Sequence, residues 1–461
     1  MRGLLVLLTP LGYLLLLFAG CALAGALTAG LYCEWGPLAV FSGLGGGAAL
    51  LGGLAHRLRP DRQLSADEAL PLTAFGYLLF SLLGAIPFLG AGSFLDGWFE
   101  AMSGITTTGL SVFVPESLPR SLVLFRALYQ WVGGAGIVVI SLALLRPPGR
   151  TALALYGAEY GQQNLAGNVR HTARRVAFVY LSLTAAGLVT FWAVGMTPFD
   201  AVCHVLATLS TGGFSPHSGS IGHYTSPALQ AAVTVFMLCG AVSLPLFWLV
   251  GVGKARRTLG DRQLWALVAT SLLIGGLVAG VLGSAGAGLF QGVSAVTTTG
   301  FSSVPTQELP GAARWALILG MVAGGCGGST AGGIKLFRLL AMLAMVRWLF
   351  SRARLPQEAQ VPFRIAGERF AGDEVQGIAA YVITYLGVLV AATLALVYSG
   401  YDLSAALFEA ASAQGTVGLS VGVTSGAAPV GVKLLLVSLM WMGRLEVVPV
   451  ILLLRRLGGR R

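Results

Sequence analysis

The pattern Thr-x-Gly-[Leu/Phe]-Ser occurs four times in this chain, at residues 107–111, 211–215, 298–302 and 416–420. An internal repeat of this kind indicates that one structural unit is built four times. The glycine permits backbone dihedrals that turn carbonyl oxygens inward. Four such segments around one axis would replace the hydration shell of a cation with carbonyl oxygens. The predicted chemistry is therefore cation coordination, with these candidate residues: Thr107, Thr108, Gly109, Thr211, Gly212, Gly213, Thr298, Thr299, Gly300, Thr416, Val417 and Gly418.

A moderately apolar segment, too short to cross a membrane, precedes each pattern. Phe-Glu or Phe-Gln pairs at 99–100, 290–291 and 408–409 begin ten residues before the glycine. The pair at 199–200 begins fourteen residues before Gly213, which predicts one extra helical turn in the second copy. Each segment is expected to form a short helix whose partly negative C-terminal end faces the cation.

The acids of these segments, Glu100, Asp200 and Glu409, allow two interpretations. They are either partners for the positive N-terminal ends of the short helices or an acidic outer vestibule that concentrates cations. His204, in the second short helix, is interpreted as a packing residue.

The elements that must position these segments are membrane helices. The chain has 461 residues, of which 56% are hydrophobic and only 10% charged, whereas average soluble proteins carry about 25% charge. Apolar runs predict ten spans, near residues 4–32, 37–55, 68–90, 121–145, 174–196, 226–252, 263–283, 313–345, 376–399 and 431–454.

Lys and Arg residues are concentrated in every second connection between the predicted spans. With the N-terminus inside, 22 of the 29 Lys and Arg residues fall on the cytoplasmic side, as the positive-inside rule requires. Both termini are therefore expected in the cytoplasm. Membrane orientation accounts for the net charge of +11 better than nucleic-acid binding does, and no nucleic-acid partner is expected.

The eighth span contains the segment 324-GGCGGSTAGG-333. Because each Gly costs a helix about 1 kcal/mol relative to Ala, this span is expected to break there, as discontinuous membrane helices do at ion paths. A continuous helix that uses its glycines for a close contact is the alternative.

Arg444 lies midway along the tenth span, where a charge normally faces a cavity. A buried ion pair with Glu446 or another acid is the alternative, although residues two apart on a helix do not face each other. Pro449 is expected to kink the helix below Arg444.

The four patterns resemble the filters of the Trk/Ktr/HKT superfamily of potassium transporters. The strings 131-WVGGAGIVV-139, 324-GGCGGSTAGGIKLFR-338 and 441-WMGRLEVVP-449 resemble it too, and two additional N-terminal helices resemble the TrkH type. In this superfamily, Gly at all four filter positions accompanies potassium preference, and Ser at the first accompanies sodium. The resemblance implies potassium as the transported ion.

The resemblance also implies an intramembrane gating loop beneath the filter. Lys335 and Arg338 would lie at the cytoplasmic edge of this loop, held by acidic groups or by a lipid head group. Arg444 would be an electrostatic barrier in the pore. The gating residues so implied are Gly324, Gly325, Gly327, Gly328, Gly332, Gly333, Lys335, Arg338 and Arg444.

The implied architecture is an all-α integral membrane protein of ten transmembrane helices. Two N-terminal helices (1–67) precede four helix, re-entrant loop, helix repeats (68–150, 151–257, 258–355 and 356–461) in pseudo-fourfold arrangement around one pore. The implied assembly is a homodimer in lipid of the bacterial cytoplasmic (inner) membrane. No nucleotide-binding motif is seen, so nucleotide control would need a separate cytosolic TrkA-type subunit.

Two other functions fit the sequence less well. A sodium-handling or ion-coupled secondary transporter would more often carry inverted repeats, whereas these four enter from one side. An intramembrane enzyme would need a catalytic set, and no HExxH, G-x-S-x-G or G-x-G-x-x-G motif occurs. The chain is therefore not expected to be an enzyme.

Overall fold

The computed structural model describes residues 2–57, 66–144, 169–354, 356, 363–365, 368–369 and 372–457. Within them the regular secondary structure is helical apart from one antiparallel pair of two-residue strands, β1 (Arg364–Ile365) and β2 (Glu368–Arg369). The all-α membrane fold expected from the sequence is confirmed. The repeat boundary expected after residue 150 lies outside the described residues.

Helices α1 (Arg2–Leu31) and α2 (Trp35–Arg57) form a hairpin before the repeats. Glycines let the two helices approach closely, as in many membrane helix pairs. A Cβ added at Gly25 would meet the ring of Phe41, and one at Gly52 would meet the carbonyl oxygen of Gly12.

Four units follow, each with a long helix, a short helix and a second long helix. The helices are, in chain order, α3 (Ala66–Ala85), α4 (Phe94–Ile105) and α5 (Arg120–Leu144); α6 (Val169–Ala193), α7 (Pro198–Leu209), α8 (Pro227–Ala241) and α9 (Leu244–Gly251); α10 (Ala255–Leu259), α11 (Arg262–Leu282), α12 (Ala285–Val296), α13 (Gly311–Ala323) and α14 (Leu336–Arg352); and α15 (Gly372–Tyr398), α16 (Leu403–Gln414), α17 (Val430–Arg444) and α18 (Val448–Leu457).

Of the described helices, six are long and apolar enough to cross a membrane unaided, and two bent pairs raise the number to eight. The sixth predicted span is the pair α8–α9, bent by 100°, and the tenth is α17–α18, bent by 113°. The bend between α17 and α18 precedes Pro449 by a few residues, close to the expected kink. The other two predicted spans are α5, which carries Arg126, and the broken pair α13–α14.

The short helices α4, α7, α12 and α16 have 12 residues each, about 18 Å of helix, which cannot cross a bilayer. A side chain caps the N-terminus of each one: Ser93, Thr197, Ser284 and Asp402. Their C-terminal halves are buried, so the four short helices lie inside the molecule and are surrounded by the long ones.

Glycines in the second long helices let those helices contact the ends of the short ones. A Cβ at Gly133 of α5 would collide with the carbonyl oxygen of Ile105, which ends α4. Gly443 of α17 lies in the same way against the carbonyl oxygen of Gln414, which ends α16. Side chains at these positions would push the short helices out of place.

Candidate functional site

The four Thr-x-Gly segments (107–109, 211–213, 298–300 and 416–418) leave their short helices in one common register. Each short helix begins fifteen residues before its glycine: 94 to 109, 198 to 213, 285 to 300 and 403 to 418. The extra helical turn predicted for the second copy is therefore wrong. The Phe199-Asp200 pair belongs to the first turn of α7, and the position equivalent to Phe99 is occupied by Cys203.

The backbone has the same unusual conformation in all four segments. The threonines have φ between 50° and 54°, and the glycines have φ between 76° and 95°. The residue between them has no positive φ in any segment. Threonine seldom adopts a left-handed conformation, so its appearance at four equivalent places shows a shared requirement. Alternating signs of φ along a short segment turn successive carbonyl groups to one side.

The glycines join the four segments into a closed ring. A Cβ at Gly109 would collide with the carbonyl oxygen of Gly212, and one at Gly213 with that of Thr299. The series continues from Gly300 to the carbonyl oxygen of Val417, and from Gly418 back to that of Thr108. Each segment therefore lies against the next in the order one, two, three, four, one. Only glycine fits at these points, because of both the positive φ and the neighbouring backbone.

Hydrogen bonds to side chains hold the first, second and fourth segments in place. Ser103 Oγ accepts a hydrogen bond from the Gly109 amide at 3.0 Å, and Ser412 Oγ accepts one from the Gly418 amide at 3.1 Å. In the second segment, Gln130 Nε2 of α5 donates to the carbonyl oxygen of Gly212 at 2.5 Å. The first two bonds fix the amides of the filter glycines, and the third ties the Gly212 carbonyl oxygen to α5.

One buried polar side chain in each short helix supports the chain after the ring. It stands eleven residues before the serine that ends each pattern, and it bonds that serine. The pairs are Glu100 with Ser111 (2.9 Å), His204 with Ser215 (3.1 Å), Gln291 with Ser302 (2.7 Å) and Glu409 with Ser420 (2.8 Å).

Glu100 and Glu409 are buried. They neither cap a helix nor line an outer vestibule, so support of the serine after the ring replaces both interpretations made from the sequence. The packing interpretation of His204 misses that it occupies the same position as the two glutamates. The constant spacing of eleven residues to the serine was the signal that could have revealed it. Asp200 does lie in the first turn of α7, as a partner of the helix dipole would.

Glu100 carries the buried ion pair of the site. Arg126 Nη1 donates to its Oε1 at 2.6 Å, with both side chains almost wholly buried. Arg126 Nη2 also donates to the carbonyl oxygen of Ser215 at 3.0 Å, and its guanidinium lies 4.6 Å from the ring centroid of Phe214. One cation therefore joins the first repeat to the chain that follows the second Thr-x-Gly segment.

In the connection between α4 and α5, Glu116 joins the same two repeats. The amide and hydroxyl of Ser218 donate to Glu116 Oε1 at 2.6 and 2.9 Å. Partial burial disfavours the charged carboxylate, but these hydrogen bonds outweigh it and hold the pKa of Glu116 below its usual value.

The glycine-rich loop (324–333) separates α13 from α14 and runs directly beneath the ring. The expected helix break is confirmed. The Gly332 amide donates to Thr298 Oγ1 at 2.8 Å, and Thr330 Oγ1 lies 3.3 Å from Thr211 Oγ1. The loop therefore contacts the threonines of the second and third segments. Close approach explains the glycines: a Cβ at Gly332 would collide with the Gly415 carbonyl oxygen.

Arg444 lies at the end of α17 and is buried beside this loop. Its Nη1 donates to the carbonyl oxygen of Thr330 at 2.6 Å, and its Nη2 donates to that of Gly133 in α5 at 3.0 Å. Within the described residues no carboxylate contacts Arg444, so the ion pair with Glu446 considered from the sequence is not formed. The guanidinium bridges the glycine-rich loop and the first repeat.

Glu446 instead pairs with the two cations that follow the loop. Its carboxylate lies 3.1 Å from Lys335 Nζ and 2.5 Å from Arg338 Nη2. Arg338 also stacks over Tyr381, 3.9 Å from the ring centroid. An acidic residue thus holds Lys335 and Arg338, one of the two alternatives expected. The backbone φ angles are positive at Lys335, Glu446 and Val447. The break between α13 and α14 and the break between α17 and α18 are therefore strained where the ion pairs of Glu446 join them.

Together these features define a class of protein: a multi-pass membrane protein with four re-entrant helix–loop hairpins closed into a ring of backbone carbonyls around one axis. Such a ring can coordinate a dehydrated cation. The profile of the TrkH family, described as "Cation transport protein", matches residues 76–264 and 266–457. The chain therefore belongs to the TrkH family.

Characterised relatives and a solved structure are similar over most of the chain. The Trk system potassium uptake protein TrkH of Vibrio parahaemolyticus is 31% identical, covering 86% of this chain and 87% of that protein. The TrkI protein of Halomonas elongata is also 31% identical, over 85% of this chain and 83% of its own length. The crystal structure of the V. parahaemolyticus potassium transporter TrkH superposes with a TM-score of 0.87 at 28% identity, covering 98% of both chains.

Proposed function

We propose that this protein takes up potassium through a channel-like pore and that the four Thr-x-Gly segments are its selectivity filter. The observation that carries the proposal is the closed ring, in which each glycine lies against the carbonyl group of the next segment. Carbonyl oxygens arranged in this way substitute for the water around a potassium ion. The similar proteins named above are potassium transporters, which supports the choice of ion.

The gate in this proposal consists of the glycine-rich loop, Lys335, Arg338 and Arg444. The loop lies under the ring, so an ion leaving the filter meets it first. The Arg444 charge lies beside the loop in a low-dielectric region and opposes the passage of a cation. The pairing of Glu446 with Lys335 and Arg338 then ties the loop to the α17–α18 bend. Conduction requires the loop to move aside.

The assembly we propose is a homodimer in the bacterial cytoplasmic membrane, with one pore per chain and both termini in the cytoplasm. A separate cytosolic nucleotide-binding subunit of the TrkA type would control the gate. Charge distribution supports the orientation, and family membership supports the partner. No enzymatic step is part of the proposal.

Ion uptake in cells tests this function. The chain is expressed in a potassium-uptake-deficient bacterium, and rubidium uptake is measured with potassium or sodium as competitor. Restored growth at low potassium, with uptake blocked by potassium and little affected by sodium, is the expected result. Equal competition by sodium would favour the sodium-handling alternative. A correctly inserted protein that transports neither ion would contradict the proposal.

A further inference from the structure

Six cationic side chains gather where the α8–α9 bent span ends. They come from the start of α6, from the turn between α9 and α10, from α10 itself and from the start of α11. We call this surface the basic corner; its members are Arg174, Arg175, Lys254, Arg256, Arg257 and Arg262. All six side chains are exposed. Among the described residues, none of the six forms an ion pair with an acid.

The 100° bend sets the direction of this surface. Helix α9 turns by 100° away from the direction of α8, so its far end is expected to run close to the plane of the membrane surface. Exposed apolar side chains continue along it to the short helix α10: Val250, Val252 and Leu259. Apolar side chains beside cations are typical of a segment that lies in the boundary between head groups and acyl chains.

Two tryptophans flank the cations. The Arg175 guanidinium lies 5.2 Å from the ring centroid of Trp248, and the exposed Phe178 meets the same ring edge-on at 6.3 Å. On the other side, the exposed Trp265 donates its indole N–H to the carbonyl oxygen of Leu259 at 2.7 Å. Tryptophan prefers the head-group level of a membrane, so this arrangement places the basic corner at that level.

The acid within this stretch does not neutralise the cations. Asp261 is buried and accepts hydrogen bonds from the amides of Gln263 and Leu264, at 2.7 and 2.9 Å, as the N-cap of α11. Its carboxylate is therefore committed to the helix. As far as the described residues go, the exposed charge of the corner is left for an anionic partner.

We infer that the basic corner is a binding site for an anionic phospholipid. Exposed cations fit the phosphate group, and the neighbouring apolar side chains fit the acyl chains, which a free phosphate would not use. The tryptophans at the two flanks would hold α9 and α10 at the head groups. The inference is independent of the ion that the pore conducts.

Lipid retention tests this site on the full-length purified chain. Detergent-solubilised protein is titrated with phosphatidylglycerol or phosphatidylcholine, and bound lipid is counted by native mass spectrometry. The test variant carries Lys254→Gln, Arg256→Gln and Arg257→Gln. The matched control carries Arg347→Gln, Arg352→Gln and Arg354→Gln, which removes the same charge from exposed arginines around the end of α14. Melting temperatures in phosphatidylcholine confirm that both variants are folded.

Wild type is expected to retain phosphatidylglycerol in preference to phosphatidylcholine. The test variant should lose at least about tenfold in apparent affinity, given the contribution of each surface cation, and the control should stay within about twofold. Equal loss in both variants would overturn the site in favour of general surface charge. Displacement of the lipid by inorganic phosphate would overturn it in favour of a free phosphate. If the test variant binds phosphatidylglycerol as wild type does but no longer binds a soluble nucleotide-binding subunit, the surface would be assigned to a protein partner instead.

Discussion

At the residue scale, the ring depends on four glycines that fill two requirements at once. Each has a positive φ, and each leaves no room for a Cβ because the neighbouring segment's carbonyl group lies there. Few of the described positions combine a positive φ with so little room. Because the ring is closed, a displacement of one segment also displaces the next. Substitution of one glycine should therefore disturb ion coordination by more than one repeat.

Gly109→Ser and Gly418→Ser should each lower the preference for potassium over sodium by at least about tenfold, which corresponds to about 1.4 kcal/mol. The added side chain would meet the carbonyl oxygens of Gly212 and Thr108, respectively. Relative permeability in proteoliposomes measures the effect. Gly286→Ser is the matched control, because Gly286 lies in the first turn of α12 with open space around it. Unchanged selectivity in both filter variants at normal expression would refute the filter assignment.

At the element scale, the broken helices surround the region below the ring, where the proposed ion path lies. The eighth span gives up helical hydrogen bonds over the glycine-rich loop and recovers part of them outside the helix. The Cys326 amide donates to the Ala241 carbonyl oxygen at 3.0 Å, and the single hydroxyl hydrogen of Thr330 is within reach of the carbonyl oxygens of Leu209 and Gly240, at 3.0 and 2.9 Å from Oγ1. Irregular backbone at membrane depth is tolerated only where protein or a water-filled cavity surrounds it, which agrees with the buried loop seen here.

Deletion of 326-CGGSTAGG-333 should raise potassium flux severalfold if the loop obstructs the path. Flux assays on reconstituted protein, together with a check of membrane insertion, measure this. Thr330→Val offers a milder change of similar volume that removes the hydroxyl bonded to Leu209 and Gly240, and it should raise flux in the same direction. Loss of flux in both variants, with the protein correctly inserted, would instead show that the loop supports the pore structurally.

At the scale of the whole molecule, a few long-range polar contacts join repeats that are distant in sequence. Arg126 joins the first repeat to the second, Lys433 pairs with Asp96 at 2.6 Å to join the fourth to the first, and Arg444 joins three repeats. Ring closure is thus reinforced outside the Thr-x-Gly segments. Arg444 differs from the other two because it combines a structural bridge with a charge beside the proposed ion path.

Arg444→Ala should increase potassium flux by about tenfold, since a barrier of ~1.4 kcal/mol changes a rate by that factor, and it should leave ion selectivity unchanged. Arg444→Lys separates the two roles, because lysine keeps the charge but cannot bond both Thr330 and Gly133. If the charge is the barrier, the lysine variant keeps the low flux. If the bridge holds the loop, both variants conduct more.

Melting temperature is measured on the same purified variants. Less flux with a large fall in melting temperature in the alanine variant would contradict the gating role and indicate a structural one. Electrostatic screening by water in the pore would reduce the effect of the charge without reversing its sign.

The sequence by itself determined the properties that local composition controls. Apolar length identified the membrane helices, the repeated Thr-x-Gly pattern located the four segments, and the glycine content of 324–333 predicted the break in the eighth span. These features depend on neighbouring residues and on the bilayer, which requires every spanning segment to satisfy its own backbone hydrogen bonds. A single sequence therefore sufficed for them.

Only the tertiary structure decided which groups meet. The order of the ring and the pairing of Glu446 with Lys335 and Arg338 rather than with Arg444 join residues that are far apart in the chain. The bend between α8 and α9 likewise had no expectation in the sequence. These contacts depend on how complete helices pack against one another, and no local pattern of residue types encodes that packing.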